Sequence, residues 1–187
     1  DARFLRISTA DARTRRALRR VTATVEPLAF GADTNAFLLE VAKRSPRGDW
    51  PRALSGEQAY WTIVGVDGGH DQGLIGEDGA IELGKRGPSV EPFVYVDGKR
   101  VGWAEVESRQ SLLDGYLPIP SVEWRHPAFR LTTTAFALDG KEAPRLVARY
   151  RLENTSGVAK DFELALVLRS LQVNPPSQFL NTRGGFS

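Results

Sequence analysis

Runs rich in Val, Ile, Thr, Tyr, Phe and Trp recur along the chain from Tyr60 to Val173, and five Asp-Gly dipeptides stand among them: Asp67-Gly68, Asp78-Gly79, Asp97-Gly98, Asp114-Gly115 and Asp139-Gly140. A type I′ hairpin turn needs positive φ at both central residues, which Gly adopts freely and Asp tolerates. Each dipeptide is therefore expected to reverse the chain between antiparallel strands. The run Tyr60-Trp61-Thr62-Ile63-Val64-Gly65-Val66 reads as a buried strand with Trp61 in the core. Ala80 to Leu83 follows the second dipeptide, and Phe93 to Val96 is expected to pair with Lys99 to Trp103 across Asp97-Gly98. Ser121 to Trp124, Phe129 to Leu138 and Arg145 to Leu152 continue the series. In Asp161 to Val173, Phe162, Leu164, Leu166 and Leu168 alternate on one face while Ala165 and Val167 occupy the other, which predicts a central strand covered on both sides. Asn154-Thr155-Ser156-Gly157 supplies the turn before it. No helical pattern separates these strands, so parallel crossovers are disfavoured and the expected class is mainly β, two antiparallel sheets packed face to face.

Short N-terminal helices precede the strands. Residues 11 to 21 carry Ala, Leu and Arg with good helix propensity, and Asp33 or Thr34 is placed to cap a second helix with Phe37, Leu38, Val41 and Ala42 on its apolar face. Ser45-Pro46-Arg47-Gly48-Asp49-Trp50-Pro51 then breaks the pattern. The expected organisation is a helical and loop appendage over residues 1–55, a sandwich over 56–174, and over 175–187 the start of a linker toward a further, C-terminal domain.

The chain has 187 residues, 41% of them hydrophobic, enough for one sizeable core and too apolar for a disordered chain. Its 25 basic and 23 acidic residues leave a net charge of only +2, so whole-molecule attraction to nucleic acid is not expected. The basic excess is local, with Arg3, Arg6, Arg13, Arg15, Arg16, Arg19 and Arg20 crowded before Val21. That cluster is read as a solvated helix face, because aromatic interleaving and a Gly-rich phosphate loop are both absent. The absence of Cys excludes disulfides, thiolate metal sites and a cysteine nucleophile. No apolar run approaches the roughly 18 residues of a membrane span. The chain begins at Asp1 without a signal-like segment and stops in Asn181-Thr182-Arg183-Gly184-Gly185-Phe186-Ser187, a turn-like stretch, which raises the expectation of a larger polypeptide. Location stays open.

Candidate chemistry is sparse. His70 in Asp67-Gly68-Gly69-His70-Asp71 lacks the alternating oxygen donors of a calcium loop and reads as a solvated turn. Glu105 and Glu107 would share one strand face, but an acid and a base normally come from different elements so that their pKa values separate. The Gly-x-Ser-x-Gly, His-Glu-x-x-His, P-loop and dinucleotide motifs are missing. Trp61, Trp103, Trp124 and Tyr60 are the aromatic faces on which a sugar ring could stack, and Trp124 with His126 forms the best polar-aromatic corner, since Arg125-His126-Pro127 turns just after the strand. Asn174 and Gln178, around Pro175-Pro176, are placed to present amides at the sandwich edge, to a domain junction or a substrate cleft.

Three stretches in order, Tyr60 to Val66, Ser121-Val122-Glu123-Trp124 leading into Phe129 to Ala137, and Arg145 to Asn154 followed by a second long strand, resemble the β-supersandwich, galactose-mutarotase-like in fold, that precedes an (α/α)6 barrel in glycoside phosphorylases and glucoamylase-like hydrolases. Gln172 to Asn181 resembles the departure from that sandwich toward the barrel. The resemblance implies a non-catalytic domain of a carbohydrate-active protein that packs on a helical barrel holding the catalytic carboxylates. A glycan is the implied ligand, with Trp124, His126, Asn174 and Gln178 as its candidate contacts. No catalytic residue, metal, cofactor, nucleic acid or membrane is assigned to this chain. The alternative is a free-standing carbohydrate- or protein-binding sandwich.

Overall fold

The computed structural model describes residues 34–84, 87–139, 144–171 and 173. The helix expected over residues 11–21, the N-terminal arginines, Asn174 and Gln178 lie outside them.

Two antiparallel sheets account for the ten strands among the described residues. The six-stranded sheet holds β1 (Trp61–Gly65), β2 (Gln72–Gly76), β3 (Ile81–Glu82), β4 (Ser89–Val96), β5 (Lys99–Val101) and β10 (Phe162–Arg169), in the order β1-β2-β3-β4-β10 with β5 also on β4. The four-stranded sheet runs in sequence order through β6 (Glu107–Leu113), β7 (Leu117–Arg125), β8 (Phe129–Leu138) and β9 (Arg145–Asn154). A helix, α1 (Thr34–Arg44), and a short 3-10 turn (Arg52–Ser55) precede the sheets, with Ala42 of α1 packed on Leu54 and Leu171.

The turn dipeptides divide by backbone. Asp97 and Gly98 (φ 49° and 78°) and Asp114 and Gly115 (53° and 79°) have both central residues at positive φ, as a type I′ turn demands. At Gly68 and Gly79 only the glycine is positive. The Gly79 amide donates to Gly76 O at 2.9 Å and the Gly76 amide to Ala80 O at 2.8 Å, so Glu77-Asp78-Gly79 is a three-residue loop in which glycine takes the left-handed position. The β4–β5 hairpin has the expected register, Val96 opposite Lys99. Asn154 closes the β9–β10 turn, its Oδ1 accepting from the Ser156 amide at 2.9 Å and its Nδ2 donating to Val158 O at 2.7 Å.

Alternation on β8 sets the core. Phe129, Leu131, Thr133 and Ala135 face inward and are buried, while Arg130 faces out. They meet Val122 and Trp124 of β7 and, from the facing sheet, Val64, Ile75, Ile81 and Val94. Each large apolar side chain buried this way contributes about 1.5–3 kcal/mol.

Two strands, one expected to be central and the other buried, are edges among the described residues. β10 pairs only with β4, and Leu166, Val167 and Leu168 are 47%, 36% and 64% exposed. β1 pairs only with β2, leaving Ile63 exposed and Trp61 half-buried rather than in the core. The stretch around the paired glutamates is also not continuous strand. Glu105 lies in a 3-10 turn (Trp103–Glu105), where its carboxylate accepts the Gly102 amide at 2.7 Å, and Glu107 opens β6 and pairs with Arg109.

Candidate functional site

The densest polar cluster lies where the segment before β1 meets the six-stranded sheet. Pro51 leads into the 3-10 turn that begins at Arg52, and Gly56 ends it in the left-handed region (φ 79°). Arg52 then reaches the β2–β3 loop, where its Nε and Nη2 donate to the two carboxylate oxygens of Asp78 at 3.0 and 2.6 Å, the two-pronged geometry the guanidinium is built for. Its Nη1 donates to Glu57 at 3.0 Å, and Glu57 is held in turn by Arg47. The guanidinium carbons of Arg47 and Arg52 lie 4.4 and 4.3 Å from the centre of the Trp103 ring, whose indole N–H donates to Trp50 O at 2.9 Å. The Arg47 hydrogen bond pulls the Glu57 carboxyl below its usual range, whereas desolvation pushes Glu77 up.

A second buried pair sits alongside. Glu91 on β4 is pushed up to about 7 by desolvation, against the opposing pull of Arg169, whose Nη2 stands 3.2 Å from its carboxylate. Ser89 Oγ also donates to Glu91, at 3.4 Å. The Arg169 guanidinium lies 5.5 Å from the Trp50 ring and 5.4 Å from the Phe93 ring, and its Nη1 donates to Asp49 O at 2.8 Å. Its Nε is buried without a partner.

Between these groups is a cavity of about 40 Å³ bordered by Arg52, Asp78, Glu91, Phe93, Trp103 and Trp124. That is room for about two or three waters, not for a sugar ring. The carboxylates around it pair with arginines, so the cluster fastens the N-terminal segment to the sheet. Among the described residues no group of three or more His, Asp or Glu is placed to hold a metal ion, and no helix is long and apolar enough to cross a membrane. A larger open cleft, about 290 Å³, lies between the sheets near Val64, Gly73, Ala137 and Leu146, with Asp71, Gln72 and Arg145 as polar lining. Among the described residues no aromatic side chain lines it to give a sugar a stacking surface.

Trp124 and His126 are both engaged in the fold. Trp124 is 2% exposed and its indole N–H donates to Asp78 O at 3.1 Å, so it presents no face to a ligand. His126 caps its own turn, Nδ1 accepting the Ala128 amide at 3.1 Å, and stacks on Phe129 with ring centres 4.8 Å apart. Burial pushes its pKa down, with Glu105 opposing. The open aromatic side chains among the described residues are Phe37 on α1, 44% exposed, Tyr60, 57% exposed beside the small cavity, and Tyr116, 73% exposed beyond the Asp114-Gly115 turn. Tyr116 was not among the sequence candidates, although its place at a hairpin tip was the available signal. The Arg52–Asp78 pair, 26 residues apart, had no local signal at all.

Comparison with family models, with curated proteins and with solved structures finds no match.

Proposed function

We propose that this chain is the non-catalytic β-supersandwich, galactose-mutarotase-like in fold, of a carbohydrate-active protein of glycoside hydrolase or phosphorylase type, and that it packs against a helical catalytic barrel of the same polypeptide. The observation that carries the reading is an uncovered part of the sandwich interior. Phe162 and Leu164 of β10 pack on the core, and Leu166 and Leu168, on the same face by alternation, are left 47% and 64% exposed. Ala148, on the core-facing side of β9 opposite Ala135, is exposed as well. A self-sufficient module covers the inward face of its own strands. An apolar wedge on a strand with one free edge is also an association hazard that a neighbouring domain removes. The engagement of the carboxylates at the Arg52 cluster supports a structural and not a catalytic role, and the carbohydrate-active class rests on the resemblance of the strand stretches in the sequence.

The test compares the isolated chain with the parent polypeptide. The isolated chain is expected to self-associate in sedimentation and to bind an apolar dye, and Leu166→Ser with Leu168→Ser should abolish both. In the parent polypeptide the same pair should loosen domain docking and lower glycan turnover. A monomeric isolated chain that binds no dye, with a parent reading frame that encodes no helical repeat, would establish the free-standing module instead.

A further inference from the structure

The outward face of the four-stranded sheet is polar over three of its cross-strand rows and biased in charge. The ladder fixes its membership, because directly paired residues share a face. Glu107, Arg125, Arg130 and Glu153 form one cross-strand row; Arg109, Glu123, Thr132 and Arg151 the next; Ser111, Ser121, Thr134 and Arg149 a third; Phe136 and Val147 make an apolar row after it; and Arg145, which also borders the open cleft, lies past that row, opposite Leu138. Six arginines thus share this face with three glutamates, in a chain whose whole net charge is +2.

The glutamates are already used. Glu107 pairs with Arg109, Glu153 with Arg151, and Glu123 with both Arg125 and Arg130. Arg145 and Arg149 are exposed and have no carboxylate partner among the described residues. Beside Arg149, Ser121 Oγ and Thr134 Oγ1 are hydrogen-bonded at 2.8 Å. Arg149 and Arg151 stand about 7 Å apart along β9, since an antiparallel strand rises about 3.4 Å per residue.

We infer that this face binds an anionic polysaccharide, with uronate carboxylates on the forks of Arg149 and Arg145 and sugar hydroxyls on Ser111 and Ser121, which share the cross-strand row of Arg149. The inference rests on the carbohydrate-active reading above and adds to it the charge class of the glycan. An extended polymer with a carboxylate on each sugar matches guanidinium groups spaced along a strand, because each carboxylate accepts two parallel N–H bonds. Ser111 and Ser121 supply neutral donors and acceptors beside Arg149. The contacts are exposed, so binding is shared over several weak ion pairs and falls with salt.

Affinity electrophoresis of the full chain in gels containing polygalacturonate, alginate or neutral dextran tests this, with duplex DNA as a competing polyanion. Retardation by polygalacturonate or alginate and not by dextran is expected. Arg145→Glu with Arg149→Glu should weaken it about tenfold, and Lys99→Glu, a charge reversal on the other sheet, should not. Arg149→Gln, which removes the charge without reversing it, should give an intermediate loss with an unchanged melting curve. Equal retardation by dextran overturns the inference and leaves the carbohydrate-active reading standing. Binding to DNA as tight as to polygalacturonate, lost in the same variants, overturns it in favour of a general phosphate surface. No retardation by any glycan, with a parent polypeptide that turns over a neutral glycan, overturns the inference alone. The same result with a parent inert toward all glycans removes both.

Discussion

Replacing Arg52 by Ala removes, in one step, the two-pronged bond to Asp78, the contacts to Glu57 and Glu77, and the stack on Trp103. The Arg52 and Asp78 side chains are 19% and 13% exposed, so the pair is mostly but not fully withdrawn from water. Breaking one side of a buried pair costs about 3–5 kcal/mol, and the residual exposure places this one at the lower end. The lost stack adds about 0.5–1 kcal/mol. The expected loss is about 3–4 kcal/mol, which for a chain of this size lowers Tm by about 10 °C. Urea denaturation followed by circular dichroism measures it. Arg52→Lys, which keeps the charge and loses the fork, should cost about half as much. A cycle with Asp78→Asn should give a coupling of about 1–3 kcal/mol. An Arg52→Ala variant within about 0.5 kcal/mol of the parent would show that water screens the cluster and that the segment is held by apolar contacts alone.

Glu91 makes stability depend on pH in the direction opposite to most carboxylates. Its folded pKa of about 7, against an ordinary 4.5, means that the folded chain keeps a proton the unfolded chain has released, so this contribution is full below 4.5 and is lost as pH rises through 7. The difference is about 3 kcal/mol, and subtracting the pH profile of Glu91→Gln from that of the parent isolates it; a difference that grows in the parent's favour from pH 5 to 8 would sink the argument. Gly98→Ala should cost about 1–2 kcal/mol from backbone alone, since φ is 78° and nothing lies within 4 Å of the added methyl. Gly73→Ala should cost more in the same urea titration, because its methyl would sit 2.8 Å from Glu82 O and 2.5 Å from Leu146 Cδ2; the reverse order would show that β2 can shift away from β3 without penalty.

Strand positions were legible where alternation was strict. β8 spans Phe129–Leu138 as the pattern predicts, and the Asp97-Gly98 hairpin has its expected register, because period-two burial and a two-residue turn are both written locally. Neighbour number was not legible. β10 carries apolar residues on both faces, which reads as a strand covered above and below, yet it has a partner along only one edge. Composition reports which faces are apolar, and it does not report whether another strand lies alongside. The same limit applies to Trp61 on β1. The two glutamates at 105 and 107 were misread for a different reason: the Gly102 amide captured Glu105 and wound the chain into a 3-10 turn before β6 began.

The β2–β3 loop explains why the sequence pointed to Trp124 and the structure uses it otherwise. Glu77 and Asp78 look like ordinary turn residues, and their carbonyls and carboxylates point to different parts of the molecule. Asp78 O accepts the Trp124 indole and Glu77 O accepts Ser108 Oγ, which ties the loop to β7 and β6 of the facing sheet. The Asp78 carboxylate meanwhile holds Arg52, which lies over Trp103. One three-residue loop therefore joins the two sheets and the N-terminal segment, and Trp124 is one of its attachments. An aromatic residue whose N–H is needed to join the sheets cannot also turn its face outward to stack on a sugar. The apolar wedge of β10 and the arginine face of the four-stranded sheet are surfaces that no such bond closes.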